Sequence, residues 1–103
     1  MSEVNVFHAI AHPARRELLD ALRDGESPVR TLAARFESSR PATSQHLRLL
    51  LDAGLVGERR LGRENFYRLT PEPLASVDSW LSHYEHFWNT KLHSLREVLG
   101  EIK

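Results

Sequence analysis

Cysteine is absent from this 103-residue chain. That excludes a disulfide scaffold, a thiolate metal site and a cysteine-based redox sensor. No apolar run approaches the roughly 18 residues that a membrane span needs. Residues 1–17 show no basic segment followed by an apolar one, so no secretory signal is read and the expected location is the cytoplasm. The five glycines form no phosphate-cradling loop, and the six histidines are scattered without a Ser-His-Asp arrangement. An enzyme is therefore not expected. Excess charge of either sign is missing too, since 14 Lys and Arg balance 14 Asp and Glu.

The distribution of charge is uneven. Between Arg30 and Arg68 stand eight arginines and four acids, a net +4, while residues 1–29 and 69–103 each carry a net −2. A local cationic face suffices to attract a polyanion whatever the total charge. The length suits one domain spanning residues 1–103, and 41% hydrophobic residues suffice for a packed core.

Punctuation divides the chain into short elements. Val4–Ile10 reads as a first helix. Pro13 fits the first turn of a second, running to Arg23 with Leu18, Leu19 and Leu22 on one stripe and Asp24-Gly25 as its stop. Ser27 as N-cap and Pro28 in the first helical position predict a third helix, Pro28–Phe36, burying Val29, Leu32, Ala33 and Phe36. After the turn Glu37-Ser38-Ser39, a fourth helix runs to about Ala53 and stops at Gly54. The expected inner side is Ala42, His46, Leu47, Leu50 and Leu51, and the expected outer side is Arg40, Thr43, Ser44, Gln45 and Arg48. Leu55–Arg60 and Asn65–Leu69, around the turn-like Leu61–Glu64, read as a β-hairpin.

A last helix is expected from Thr70-Pro71 to Leu99. Leu74, Val77, Leu81, Tyr84, Trp88, Leu92, Leu95 and Leu99 recur at steps of three and four, a seam of coiled-coil type widened by Trp80 and Phe87. Such a helix is about 39 Å long, more than a domain of this size covers, so the seam calls for a second protein surface.

Four helices, two strands and a helix make a mainly α chain with a β-hairpin wing. Two short helices joined by a tight turn and followed by a basic hairpin form a winged helix-turn-helix. The chemistry lies on the fourth helix. Gln45 matches the adenine edge, Arg40 and Arg48 match guanine or phosphate, and Thr43 and Ser44 can bond to bases or phosphates. Arg59, Arg60, Arg63 and Arg68 lie on the hairpin, where such side chains rest on phosphates or enter the minor groove. Strand alternation leaves about two of the four facing DNA; Arg63 at the tip and Arg60 are the candidates. His46 is expected to pack inward or touch a phosphate.

Several motifs then carry a resemblance over essentially the whole chain: His12-Pro13-Ala14-Arg15-Arg16, Ser39-Arg40-Pro41-Ala42-Thr43-Ser44-Gln45-His46-Leu47, Ala53-Gly54-Leu55-Val56 and Arg60-Leu61-Gly62-Arg63-Glu64-Asn65-Phe66-Tyr67. The chain resembles the ArsR/SmtB family of bacterial repressors. That resemblance implies a homodimer built on the first and last helices and bound to a palindromic operator. It places Arg40, Ser44 and Gln45 at the DNA, and Val4, Phe7, Leu81, Tyr84, Trp88, Leu92 and Leu95 at the dimer interface.

The resemblance also raises the question of a sensor. The family's last-helix zinc pattern needs an Asp-x-His pair, whereas Asp78 stands five residues before His83. His83 and His86 at i, i+3, with His93 and Glu97 at i, i+4, remain candidates for zinc or nickel shared between two chains. The opposing reading makes them polar flanks of an aromatic dimer seam. Tyr84-x-x-Phe87-Trp88 is similar to a segment of the family's non-metal branch. A winged-helix protein-interaction module is a further alternative, for which the fourth helix should present an apolar or acidic face.

Overall fold

Side-chain caps set the N-terminal helices. In the computed structural model, which describes residues 5–102, the Asn5 side chain accepts from the His8 amide at 2.8 Å and opens α1, Val6–Ile10. Val4, expected in this helix, lies outside the described residues. His12 Nδ1 accepts from the Ala14 amide at 3.1 Å, and Pro13 begins α2, Pro13–Leu22, where its missing N–H leaves no bond unmade.

The third helix starts later than predicted. Ser27–Pro28 forms a short strand, β1, and α3 spans Val29–Arg35 with Pro28 as an N-cap that makes no side-chain bond. β1 pairs antiparallel with the central strand of the sheet, Ser27 opposite Tyr67 and Pro28 opposite Phe66. Pairing wins over capping because the hairpin edge otherwise exposes a row of unpaired backbone groups.

Glu37, with φ of 53°, turns the chain from α3 into α4, Arg40–Asp52. Ser38 N–H bonds to Ala33 C=O at 2.9 Å and Glu37 N–H to Ala34 C=O at 3.3 Å, the double bond pattern of a Schellman cap. Ser39 Oγ then accepts from the Ala42 amide at 3.1 Å, as its N-cap assignment requires. The same cap closes α4: Gly54 has φ of 79°, and Leu55 N–H bonds to Leu50 C=O at 2.9 Å.

The hairpin joins β2, Val56–Leu61, to β3, Glu64–Leu69, through Gly62-Arg63. Gly62 has φ of 65°, which a two-residue hairpin turn demands at its first position. The sheet order is β1-β3-β2. Its inner face supplies Val56 and Tyr67 to a core that also holds Leu18 and Leu22 of α2, Leu32 of α3 and Leu47 and Leu50 of α4. Leu32, Leu47, Leu50 and Leu55 are fully buried, so α4 is clamped on its inner side along most of its length.

The single last helix is two helices, α5, Leu74–Ser82, and α6, Glu85–Ile102, with a turn at His83-Tyr84. Tight i to i−3 bonds, His83 N–H to Trp80 C=O and Tyr84 N–H to Leu81 C=O, interrupt the α pattern. Ser82 Oγ donates to Ser79 C=O at 2.6 Å, a back-bond that competes with the helix ladder. At the start of α5, Thr70 Oγ1 donates to Gly54 C=O and does not cap the helix. Leu74 and Val77 pack on the core. Beyond them Trp80, Leu81, Tyr84, Phe87, Trp88, Leu95, Val98 and Leu99 are exposed. The radius of gyration is 17.8 Å, against about 13 Å for a compact chain of this length.

Candidate nucleic-acid interface

Burial on α4 divides its side chains. Arg40, Ser44, Gln45 and Arg48 are exposed, and Thr43, Leu47 and Leu50 are buried at i, i+4 and i+7. Thr43 is 3% exposed, so the expectation that it faces DNA is corrected. The predicted stripe holds at Leu47 and Leu50 and differs only at its N-terminal end, where Ala42 is exposed and Thr43 is buried. Thr43 lies four residues before Leu47, so it stands one turn along the same face.

The wing brings its tip to the start of α4. Arg40 and Ser44 of α4, Val29 of α3, and Arg63, Glu64 and Asn65 of the hairpin line one cleft of about 180 Å³. Two of the predicted helix residues and the predicted tip arginine thus share one concave surface. Among the described residues, the side chains of Arg40, Ser44, Gln45 and Arg63 make no hydrogen bond or ion pair, leaving their polar groups open to a ligand. Arg48 leans toward Asp52 at 3.7 Å, a weak exposed contact.

Strand alternation sorts the other arginines. Arg59 makes two bonds to the Glu26 carboxylate, at 2.7 and 2.8 Å. Arg68 stacks its guanidinium over Gly57, the residue opposite it in the ladder. Both sit on the face away from the core. Arg60, opposite Asn65, takes the other face, and its Nε donates to Gly62 C=O across the turn. Among the described residues, the split leaves Arg63 without a side-chain partner and Arg60 with a backbone contact alone.

Glu64 is the acid of the cleft, and Arg30 of α3 grips it through two bonds, Arg30 Nη2 to Glu64 Oε2 being 3.3 Å. The Arg30 hydrogen bond holds the Glu64 carboxyl below its ordinary range, and Arg59 does the same for Glu26. Sequence reasoning missed the contributions of Asn65 and Arg30. Asn65 was readable as the residue two past the tip; Arg30 was not, because its partner lies 34 positions away.

The C-terminal candidates separate. His83 sits in the turn between α5 and α6, so it does not share a continuous helical face with His86. His93 Nε2 lies 3.3 Å from Glu97 Oε2. Among the described residues, no three His, Asp or Glu side chains gather as metal ligands within one chain. Phe7 meets Trp80 edge to face at 5.8 Å, and Trp80 meets Tyr84 at 5.5 Å, so α1 and α5 present one aromatic surface. Leu81, Trp88 and Leu95 are exposed along the same C-terminal helices. The side chain of Leu92 lies outside the described residues.

Residues 12–58, from the cap of α2 into β2, match the family described as bacterial regulatory protein, arsR family. The chain is 34% identical over 80 residues to the transcriptional repressor SdpR of Bacillus subtilis (strain 168), covering 78% of this chain and 89% of that one. A crystal structure of a possible transcriptional regulator for arsenical resistance is 46% identical and superposes with a TM-score of 0.68, over 74% of this chain and 79% of that one. An ArsR-like transcriptional regulator from Rhodococcus sp. RHA1, 28% identical, superposes with a TM-score of 0.71 over 95% of this chain and 90% of that one. With its helix-turn-helix, its wing and these relatives, the chain belongs to the arsR family of bacterial regulatory proteins and is a DNA-binding transcriptional regulator of the repressor kind.

Proposed function

We propose that the chain acts as a homodimer that sets two copies of α4 into successive major grooves of a palindromic operator, roughly 34 Å apart. The observation that carries this reading is the cleft joining Arg40 and Ser44 to Arg63. Ser44 and Gln45 face the base edges, Arg40 and Arg48 hold guanine or phosphate, and Arg60 and Arg63 lie on the backbone beside the groove. The dimer is carried by the exposed aromatic surface of Phe7, Trp80, Tyr84 and Trp88, since large apolar side chains grouped on a surface mark a contact between proteins. The whole chain works as a single domain with dimerisation helices at both ends, in the cytoplasm where operators are. Among the described residues no helix is long and apolar enough to cross a membrane. The polar, basic face of α4 does not suit a protein-interaction module.

The test is to select duplexes from a random pool with the full chain and to measure affinity against salt. A palindromic consensus and a steep fall of affinity with salt are the expected results. Binding indifferent to salt and sequence contradicts the reading.

A second reading makes the repressor metal-responsive. Among the described residues, His93 and Glu97 are the one candidate pair in contact. In an antiparallel arrangement of two C-terminal helices, His86 of the partner subunit completes a site of imidazole and carboxylate that suits zinc or nickel. Titration of zinc and nickel against the wild type and a His86→Ala/His93→Ala double variant decides it; release from DNA in both alike removes the site.

A further inference from the structure

Behind the DNA face lies a cluster that base reading does not use. Arg15 of α2 is 7% exposed, which is unusual for an arginine. Its guanidinium spends three donors inward. Nε donates to Ala9 C=O at 2.7 Å, Nη2 to His8 C=O at 3.3 Å, and Nη1 faces His46 Nδ1 at 3.3 Å. The first two acceptors are backbone carbonyls of α1. The third is a side chain of α4, adjacent in sequence to Gln45. One cation therefore ties the N-terminal helix to the helix that carries the base-reading residues.

The chemistry of the third bond is one-sided. A guanidinium has donors only and keeps its charge. His46 Nδ1 must accept, so His46 is neutral with its proton on Nε2. A proton on Nδ1 removes the acceptor and sets an imidazolium against a buried guanidinium. Two basic groups around His46 oppose that proton, and one carboxylate favours it. From α2, Arg15 is one and His12 is the other, its ring centroid 4.7 Å away. The carboxylate is Glu17 of α2, which lines the same small hollow with Ser38 and Phe36, while the His8 and Ala9 carbonyls of α1 are already held by Arg15. Burial first, then His12 and Arg15, push the His46 imidazole below the ordinary histidine range.

We infer that Arg15 and His46 are positioning residues for DNA recognition: the neutral Arg15–His46 bond fixes the seating of α4 against α1 and α2, and its protonation unseats the base-reading face. The inference rests on α4 being the reading helix. It carries a sign opposite to plain electrostatics, since positive charge gained as pH falls strengthens attraction to DNA. It also differs in sign from a His46 that touches phosphate directly.

The experiment measures affinity of the full chain for a duplex it selects from a random pool, at about pH 8 and about pH 5, the lower value set well under the ordinary histidine range because His46 lies below it. Gln in place of His46 retains an acceptor that does not titrate. Relative to its affinity at the higher pH, His46→Gln is expected to bind at least about fivefold better than wild type at the lower pH, the loss of one hydrogen bond to a charged group being of that order. In an Arg15→Met background the same substitution is expected to change the pH ratio by less than about twofold, because the coupled partner is gone. Equal pH ratios for wild type and His46→Gln overturn the proposal, as does an undiminished His46 effect without Arg15. The His46→Gln comparison stands even if Arg15→Met fails to fold. Gln45→Ala is the control for the underlying reading. If it leaves affinity unchanged, the assignment of α4 as reader fails; if it weakens binding while the His46 comparison is flat, only the coupling fails.

Discussion

Phe7 of α1 and Trp80 of α5 meet edge to face, with ring centroids 5.8 Å apart and planes at 84°. Phe7 is nevertheless 41% exposed and Trp80 48% exposed, so the pair joins the two helices without closing the surface they form. A second copy closes it. Sedimentation equilibrium is expected to return twice the 11.8 kDa chain mass at micromolar concentration. Trp88→Ala is expected to weaken the dimer by about 2 kcal/mol, as for a buried aromatic anchor. A wild type that stays at the monomer mass removes this interface.

The two Schellman caps give opposite outcomes. Glu37 holds φ of 53° with a side chain that resists it, so Glu37→Gly is expected to stabilise the fold by about 1 kcal/mol and to raise Tm by roughly 4 °C. Gly54 holds φ of 79°, and an added Cβ would lie 3.4 Å from Pro73 Cγ, so Gly54→Ala is expected to destabilise by about 1–2 kcal/mol. At Gly57 the obstacle is the movable end of Arg68, and Gly57→Ala is expected to lie within about 0.5 kcal/mol of wild type. Thermal and urea melts check all three.

Glu64 is an acid on a surface meant for a polyanion. Its side chain lines the cleft with Arg40 and Arg63 and occupies Arg30. Glu64→Gln is expected to raise affinity for every duplex a few-fold and to steepen the salt dependence by about one phosphate contact. The pH direction follows from its carboxyl lying below the ordinary range. The ion pair is present above that range and is lost as pH falls through the lowered value, with only a small effect on stability because Arg30 is exposed and Glu64 is half-buried at the surface. An unchanged salt slope in the variant places Glu64 outside the footprint.

Much of this arrangement was readable from residues whose effect is local. Ser39 caps α4, Pro13 opens α2, Gly54 closes α4 and Gly62 turns the hairpin, each where its own chemistry puts it. What escaped depends on distance or on phase. The β1 strand exists only because Tyr67 and Phe66, about forty positions on, offer it a partner. Thr43 and Ala42 are both small, and neither alone fixes the rotation of α4; Leu47 and Leu50 do. No Gly or Pro marks the break at His83-Tyr84, where Ser79 and Ser82 act through a side-chain bond. Arg15 falls on the stripe of Leu18, Leu19 and Leu22, a position that signals burial although the residue type argues against it.

Arg63 and Gln45 separate the two components of binding. Arg63 stands at the wing tip with no partner among the described residues, where a phosphate contact adds affinity without selecting sequence. Arg63→Ala is expected to weaken selected and scrambled duplexes by the same factor. A loss confined to the selected duplex assigns Arg63 to base reading instead.

The most direct measurement is the affinity of Gln45→Ala for the selected duplex and for a scrambled one at a single salt concentration. Gln45 is exposed on α4, one residue from Ser44 in the cleft, with an amide shaped for the adenine edge. The expected result is a loss of about 1–3 kcal/mol on the selected duplex and none on the scrambled one. Equal affinities of variant and wild type for the selected duplex would show that the outer face of α4 does not read the operator.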